Sequence, residues 1–320
     1  MKTVALLMLL VAAATAYGAD GEPDAESLGK AMTQAASVLA ERTDPDSLAA
    51  AALLIGVTDG ARAEQLAGRA SAAAPKRPEL LWLHGQLCKD VPGCNRKPID
   101  AKLRALDPAN GAVFLPALGN PSADTDATRQ ADRLIASLAS SKRIDFYWNP
   151  LISHLSAAVI STQALAPGPA LVTVIGAASA VLIPPVAGAS LPCRDWIPRE
   201  ERRNECKAIA RAFLQGDTSV AEAAGQTMAQ ALWAPDSAEA LAAKDARRVL
   251  LYQVLTNGAE AQRRLSDAAA VQRYLDKLGR YRRERDVIVA ELTEAGRSPT
   301  PPADWQPAPP PKEAFGPAIR

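Results

Sequence analysis

Residues 44–75 read DPDSLAAAALLIGVTDGARAEQLAGRASAAAP, and they decide the fold class. Asp44-Pro45-Asp46-Ser47 is a helix start, because Asp and Ser accept from the free amides of a first turn and Pro sits at its opening. Leu48 to Ile55 then carries an apolar face, Thr58-Asp59-Gly60 is a turn, and Ala61 to Ala74 is a second helix closed by Pro75. The pattern restarts with Pro78 at a helix start, a stripe of Leu80, Leu83 and Leu87, a turn bounded by Cys88 and Cys94, and Ile99 to Leu106 before Asp107-Pro108. A further restart covers Ala112 to Leu118, a polar turn and Ala131 to Ala139. Upstream, Leu28, Met32, Ala35 and Leu39 recur at steps of three and four and predict a helix over Leu28 to Arg42. The reading is all-α, built from stacked antiparallel helix pairs.

Composition agrees. The 320 residues are 48% hydrophobic, enough for one large core or two smaller ones, and hold 67 Ala against 14 aromatics. Helix formers of that kind exclude an all-β fold. Thirty-six basic and 35 acidic residues leave a formal charge of +1, so no global field favours nucleic acid or an anionic membrane.

Met1-Lys2-Thr3, an apolar run from Val4 to Ala14 and the small residues after it have the order of a secretory leader, with cleavage after Ala16 or Gly18. The apolar run is about half of the ~20 residues a spanning helix needs, so no membrane span is expected after cleavage. The expected place is the periplasm or the medium. Four cysteines in an exported chain read as two disulfides with three pairings open. The local pairs Cys88–Cys94 and Cys193–Cys206 are favoured, the first because Pro92-Gly93 turns the chain back, the second because Cys206 lies on a helix opening at Pro198.

Pro75 and Pro108 lie 33 residues apart, each closing a helix pair, and Ala63, Ala67 and Ala70 sit at the small positions of a second helix, with Leu54 near the aromatic one. In this residues 44–141 resemble tetratricopeptide-type repeats, which have a 34-residue period. The Trp and Gly-Tyr pattern of the first repeat helix is absent, and the unit from Pro78 to Pro108 carries its Cys loop instead. The whole outline is also similar to uncharacterised exported helical proteins of high-GC bacteria, through a repeat-like N-terminal half, the Cys-x12-Cys helix and the tail motif Pro301-Pro302-Ala303-Asp304-Trp305. That resemblance implies an architecture and no catalytic residue.

Further along, Asp145-Phe146-Tyr147-Trp148-Asn149-Pro150 reads as a junction packing two helical layers, rather than as a ligand-binding aromatic patch. Leu151 to Leu165 and the uncharged Ala170 to Ile183 read as helices, the second a buried one of 14 residues. A helix through Cys206, Ile209 and Phe213 ends at Gly216, Ser219-Val220-Ala221-Glu222 reads as a capping box, and Asp236 is expected to cap a helix running to Asn257-Gly258. Residues 259–295 then read as one long helix, interrupted near Asp267, its seam packing on the protein's own body more readily than in a dimer. Eight Pro between Pro299 and Pro317 make the tail extended. The expected divisions are a leader (1–18), a repeat-like domain (19–150), an apolar connector (151–190), a C-terminal helical domain (191–297) and the tail (298–320).

No catalytic constellation is legible. His84 and Cys88 are four apart with Cys94 following, but thiols joined in an oxidising compartment are not zinc ligands, so no metal and no cofactor are expected. His154 stands alone in an apolar helix and reads as a hydrogen-bonded packing residue, with a general base as the alternative. The cluster Arg280-Tyr281-Arg282-Arg283-Glu284-Arg285 reads as a solvated face. The expectation that remains is a scaffold, monomeric or weakly dimeric, binding a protein or peptide of the cell envelope around Leu54, Trp82 and Phe114. The alternatives are an envelope enzyme acting on cell-wall material and a purely structural protein.

Overall fold

The computed structural model describes residues 25–307, except 57, 90, 119–124, 185–192 and 194–199. The expected leader, the Pro198 helix opening and the end of the tail lie outside the described residues. Fourteen α-helices follow one another there: α1 (Ala25–Ala40), α2 (Pro45–Ile55), α3 (Gly60–Ala73), α4 (Pro78–Leu87), α5 (Arg96–Leu106), α6 (Leu115–Leu118), α7 (Thr125–Ala139), α8 (Trp148–Ile160), α9 (Pro167–Val181), α10 (Glu200–Leu214), α11 (Ser219–Leu232), α12 (Ala238–Leu265), α13 (Ala268–Arg280) and α14 (Glu284–Glu294). There is no strand among the described residues, and no helix is long and apolar enough to cross a membrane.

Local chemistry places the helix starts. Asp44 accepts from Ser47 N at 2.9 Å, Asp59 from Arg62 N at 3.0 Å and Asn95 from Lys97 N at 3.1 Å, each satisfying an amide that the helix leaves free. Helices α1 to α5 then pack each on the next. Helix α2 is buried on nearly all sides, from Ser47 through Leu54, because α1, α3, α8 and α9 all pack against it. The run Ala49 to Ala52 makes that possible: methyl side chains let several neighbours approach one axis closely, and a helix apolar all round has to be interior.

The apolar hairpin α8–α9 joins the two halves. Helix α8 touches α1, α2 and α4 on one side and α13 on the other, while α9 reaches α2, α4, α12 and α13. Gly168 sits where α9 meets the end of α12, and a Cβ there would fall 2.0 Å from the Leu265 carbonyl oxygen. Helices α10, α11 and α12 pack in sequence, α7 covers α10, and one continuous core runs from Ala35 to Val287. Both disulfides are closed in the favoured pairing, Cys88–Cys94 and Cys193–Cys206, each with Cα atoms 5.5 Å apart. Such staples suit an oxidising compartment.

Three local expectations are corrected. The cap of α11 is Thr218, whose Oγ1 accepts from Ala221 N at 3.1 Å; Glu222 pairs with Arg283 and Arg285, and the Ser219 amide donates to Glu284 at 2.7 Å instead. Helix α12 starts after Ser237 and passes through Asn257-Gly258 to Leu265, since packing on α11, α13 and α14 outweighs the roughly 1 kcal/mol that one glycine costs a helix. Residues 259–295 form the end of α12 and two further helices, broken at Asp267, which caps α13, and again between Arg280 and Glu284. The tail segment 298–307 lies back on α12: Gln253 donates to the Pro299 carbonyl, Arg248 to that of Pro302, and Trp305 meets Tyr252 edge-on at 5.3 Å.

Candidate functional site

An open groove of about 550 Å³ lies over α3, α4 and the start of α5, rimmed by the loop that the Cys88–Cys94 disulfide closes. Val91, Pro92, Pro98 and Ile99 form apolar walls, and Glu64 and His84 form the polar floor. Helical spacing brings the floor together: Glu64 lies on the face of α3 turned to α4, and His84 one turn before the helix end at Cys88. His84 Nε2 is 2.9 Å from Glu64 Oε1, and Cys94 Sγ is 3.4 Å from the same oxygen. A disulfide sulfur has no proton, so the second approach is a contact. Behind the ring, Ser71 Oγ lies 3.2 Å from His84 Nδ1 and donates to the Gly68 carbonyl at 3.0 Å.

Ser71, His84 and Glu64 thus form a hydrogen-bonded chain of the residue types that activate a serine. Ser71 is 4% exposed, inside α3 with its proton on Gly68, so a substrate carbonyl has no approach to it. The chain aims His84 instead. His84 reads from sequence as a surface residue beside the disulfide, and the structure makes it a half-buried residue bonded through both ring nitrogens.

The three residues expected on a partner surface do not share one. Trp82 is completely buried, donates from Nε1 to the Leu182 carbonyl at 3.2 Å and stacks on Phe146. Leu54 is buried within α2, and only Phe114 keeps exposed area, with the Arg104 guanidinium 5.9 Å from its ring centre. His154 lies 3.6 Å from Asp46 and bonds Arg77, which also pairs with Asp46 at 2.7 Å and Glu79 at 2.6 Å. Burial raises the Asp46 pKa, but the neighbouring His154 and the Arg77 guanidinium outweigh it and hold the carboxyl below its usual range. The cluster ties α2, α4 and α8 together.

A second polar assembly sits inside. Segment 143–148 threads between the halves, and Asp217 accepts from Phe146 N and Trp148 N, both at 2.9 Å, capping α8 from a distant loop. Tyr147 takes the left-handed conformation at φ 56° to make that entry. Burial, and the charge of Asp145 beside it, push the Asp217 carboxyl well above its ordinary value, against the pull of the two amides. Asp145 is held by Arg143 and Arg282, and buried Glu222 by Arg283 and Arg285, so much of the basic cluster at 280–285 faces inward. The aromatics here are core, consistent with a junction between helical layers.

No protein-family model, no curated protein and no solved structure matches the chain.

Proposed function

We propose that the protein is exported after loss of residues 1–18 and serves in the cell envelope as a repeat-like helical scaffold binding a protein or peptide partner. The observation that carries this reading is the groove over α3 to α5: an open surface with apolar walls and a carboxylate on its floor. Such a surface takes an extended segment whose apolar side chains meet Val91, Pro98 and Ile99 and whose basic side chain reaches Glu64. The docking surface therefore moves from Leu54 and Trp82, which are interior, to the outer face of α3, α4 and the start of α5. The closed disulfides and the leader-like sequence support the compartment.

The test is site-specific photocrosslinking in envelope fractions, with the crosslinker at exposed Gln65 in the groove or at exposed Leu241 on α12. A saturable adduct from position 65, competed by unlabelled protein and absent from position 241, is expected. Adducts equal at both positions, or none that saturate, overturn the reading.

A further inference from the structure

We propose that reduction of the Cys88–Cys94 disulfide converts the floor of this groove into a zinc-type metal site, with Glu64, His84 and Cys94 as ligands and the fourth position open to water from the groove. The inference stands apart from the partner reading. Glu64 Oε1, His84 Nε2 and Cys94 Sγ already lie within 4.8 Å of one another, brought together from α3, α4 and the disulfide loop. A tetrahedral zinc with bonds of ~2.0–2.3 Å needs ligand atoms ~3.3–3.8 Å apart. The observed 2.9 Å between nitrogen and oxygen and 3.4 Å between oxygen and sulfur lie within about half an ångström of that spacing. Imidazole, carboxylate and thiolate together are a zinc donor set, softer than calcium or magnesium would take.

The imidazole is also oriented for the task. The Ser71 hydroxyl spends its proton on the Gly68 carbonyl, so its oxygen accepts from His84 Nδ1. That leaves Nε2, 2.9 Å from a Glu64 carboxylate oxygen, as the nitrogen that a metal replacing the proton between them would take. A ligand histidine held through its other nitrogen is the usual outer support of a metal site.

In the oxidised protein the sulfurs are bonded to each other and the site is incomplete. Cys94 is the accessible sulfur, half-buried where Cys88, Cys193 and Cys206 are buried. A dithiol reductant attacks it: the sulfur–sulfur bond breaks with its electron pair leaving on Cys88, and a mixed disulfide forms on Cys94. The reductant's second thiol displaces Cys94 and departs as its own disulfide, so two electrons and two protons reach the two cysteines. Binding a divalent metal then releases the Cys94 proton as its thiolate forms. The sequence expectation of no metal thus describes the oxidised chain only.

The experiment is titration with Co²⁺ alone, then competition with Zn²⁺, on the full chain before and after mild reduction that opens only the accessible disulfide, checked by mass after alkylation. The reduced protein is expected to bind one Co²⁺ with sulfur-to-metal charge transfer and the strong visible bands of tetrahedral cobalt, all removed by Zn²⁺. The oxidised protein should show neither. His84→Ala and Glu64→Gln, each first shown to form both disulfides, should weaken binding at least about tenfold, or about 1.4 kcal/mol. Alkylating Cys88 and Cys94 of the unaltered sequence should abolish it, which keeps the test valid if a variant folds poorly. No cobalt bands after reduction, equal binding by the oxidised chain, or bands indifferent to both substitutions overturns the proposal.

Discussion

Replacing Asp217 with Ala strands two buried amides at the start of α8. Phe146 N and Trp148 N each donate to this one side chain at 2.9 Å, and both residues are buried, so water cannot take its place. Each unpaired donor costs about 1–3 kcal/mol, so Asp217→Ala should lower stability by about 2–6 kcal/mol. Relief of the buried carboxyl's own desolvation offsets part of this. Asp217→Asn keeps one acceptor and should cost roughly half as much. The pH dependence follows from the direction of the shift: burial and Asp145 raise the folded carboxyl well above the ordinary value of 3.8. Folding therefore retains a proton that the unfolded chain gives up, and this contribution is whole below about pH 4 and drains away as pH rises toward the folded value. Urea unfolding followed by circular dichroism from about pH 4 to 7 should show the wild-type advantage over Asp217→Asn narrowing upward. An Asp217→Ala protein within about 0.5 kcal/mol of wild type, or a gap independent of pH, would refute the cap and the shift respectively.

Trp82→Ala, which empties the largest fully buried side chain, should destabilise by about 3–5 kcal/mol in the same urea assay. A near-neutral result would mean that Trp82 is exposed and restore it as a surface residue. Opening Cys193–Cys206 should cost about 3 kcal/mol and opening Cys88–Cys94 about 2 kcal/mol, because the closed loops span 13 and 6 residues; paired Cys→Ser variants compare them. Burial pushes the Tyr274 phenol up to about 12 although the Arg264 guanidinium lies 4.3 Å from its ring centre. Phenolate absorbance should therefore show a component near that value that Tyr274→Phe removes, with stability falling as pH climbs from about 10 toward it.

The candidate site was half legible. His84, Cys88 and Cys94 stand out by spacing within one helix and its following loop, but Glu64 is twenty residues before His84, and nothing in the sequence of α3 marks this acid as a partner of that histidine. Ser71 was likewise silent, one small polar residue in an Ala-rich helix. The expected capping box is replaced by a Thr218 cap because its partners are distant in sequence: Glu222 pairs with Arg283, 61 residues on, and the Ser219 amide donates to Glu284, 65 residues on.

The sequence by itself determined the all-α class and most helix spans and favoured the two disulfide pairings that the structure closes, because periodicity, caps, prolines and short cysteine loops act over one or two helical turns. Only the tertiary structure decided that α2 is interior, that Trp82 faces the core and that Glu64 meets His84 beside a disulfide. Hydrophobic patterning says which face of a helix must be covered. Which neighbour covers it depends on close packing among elements distant in the chain, where an alanine methyl or the Gly168 hydrogen admits one partner and excludes another.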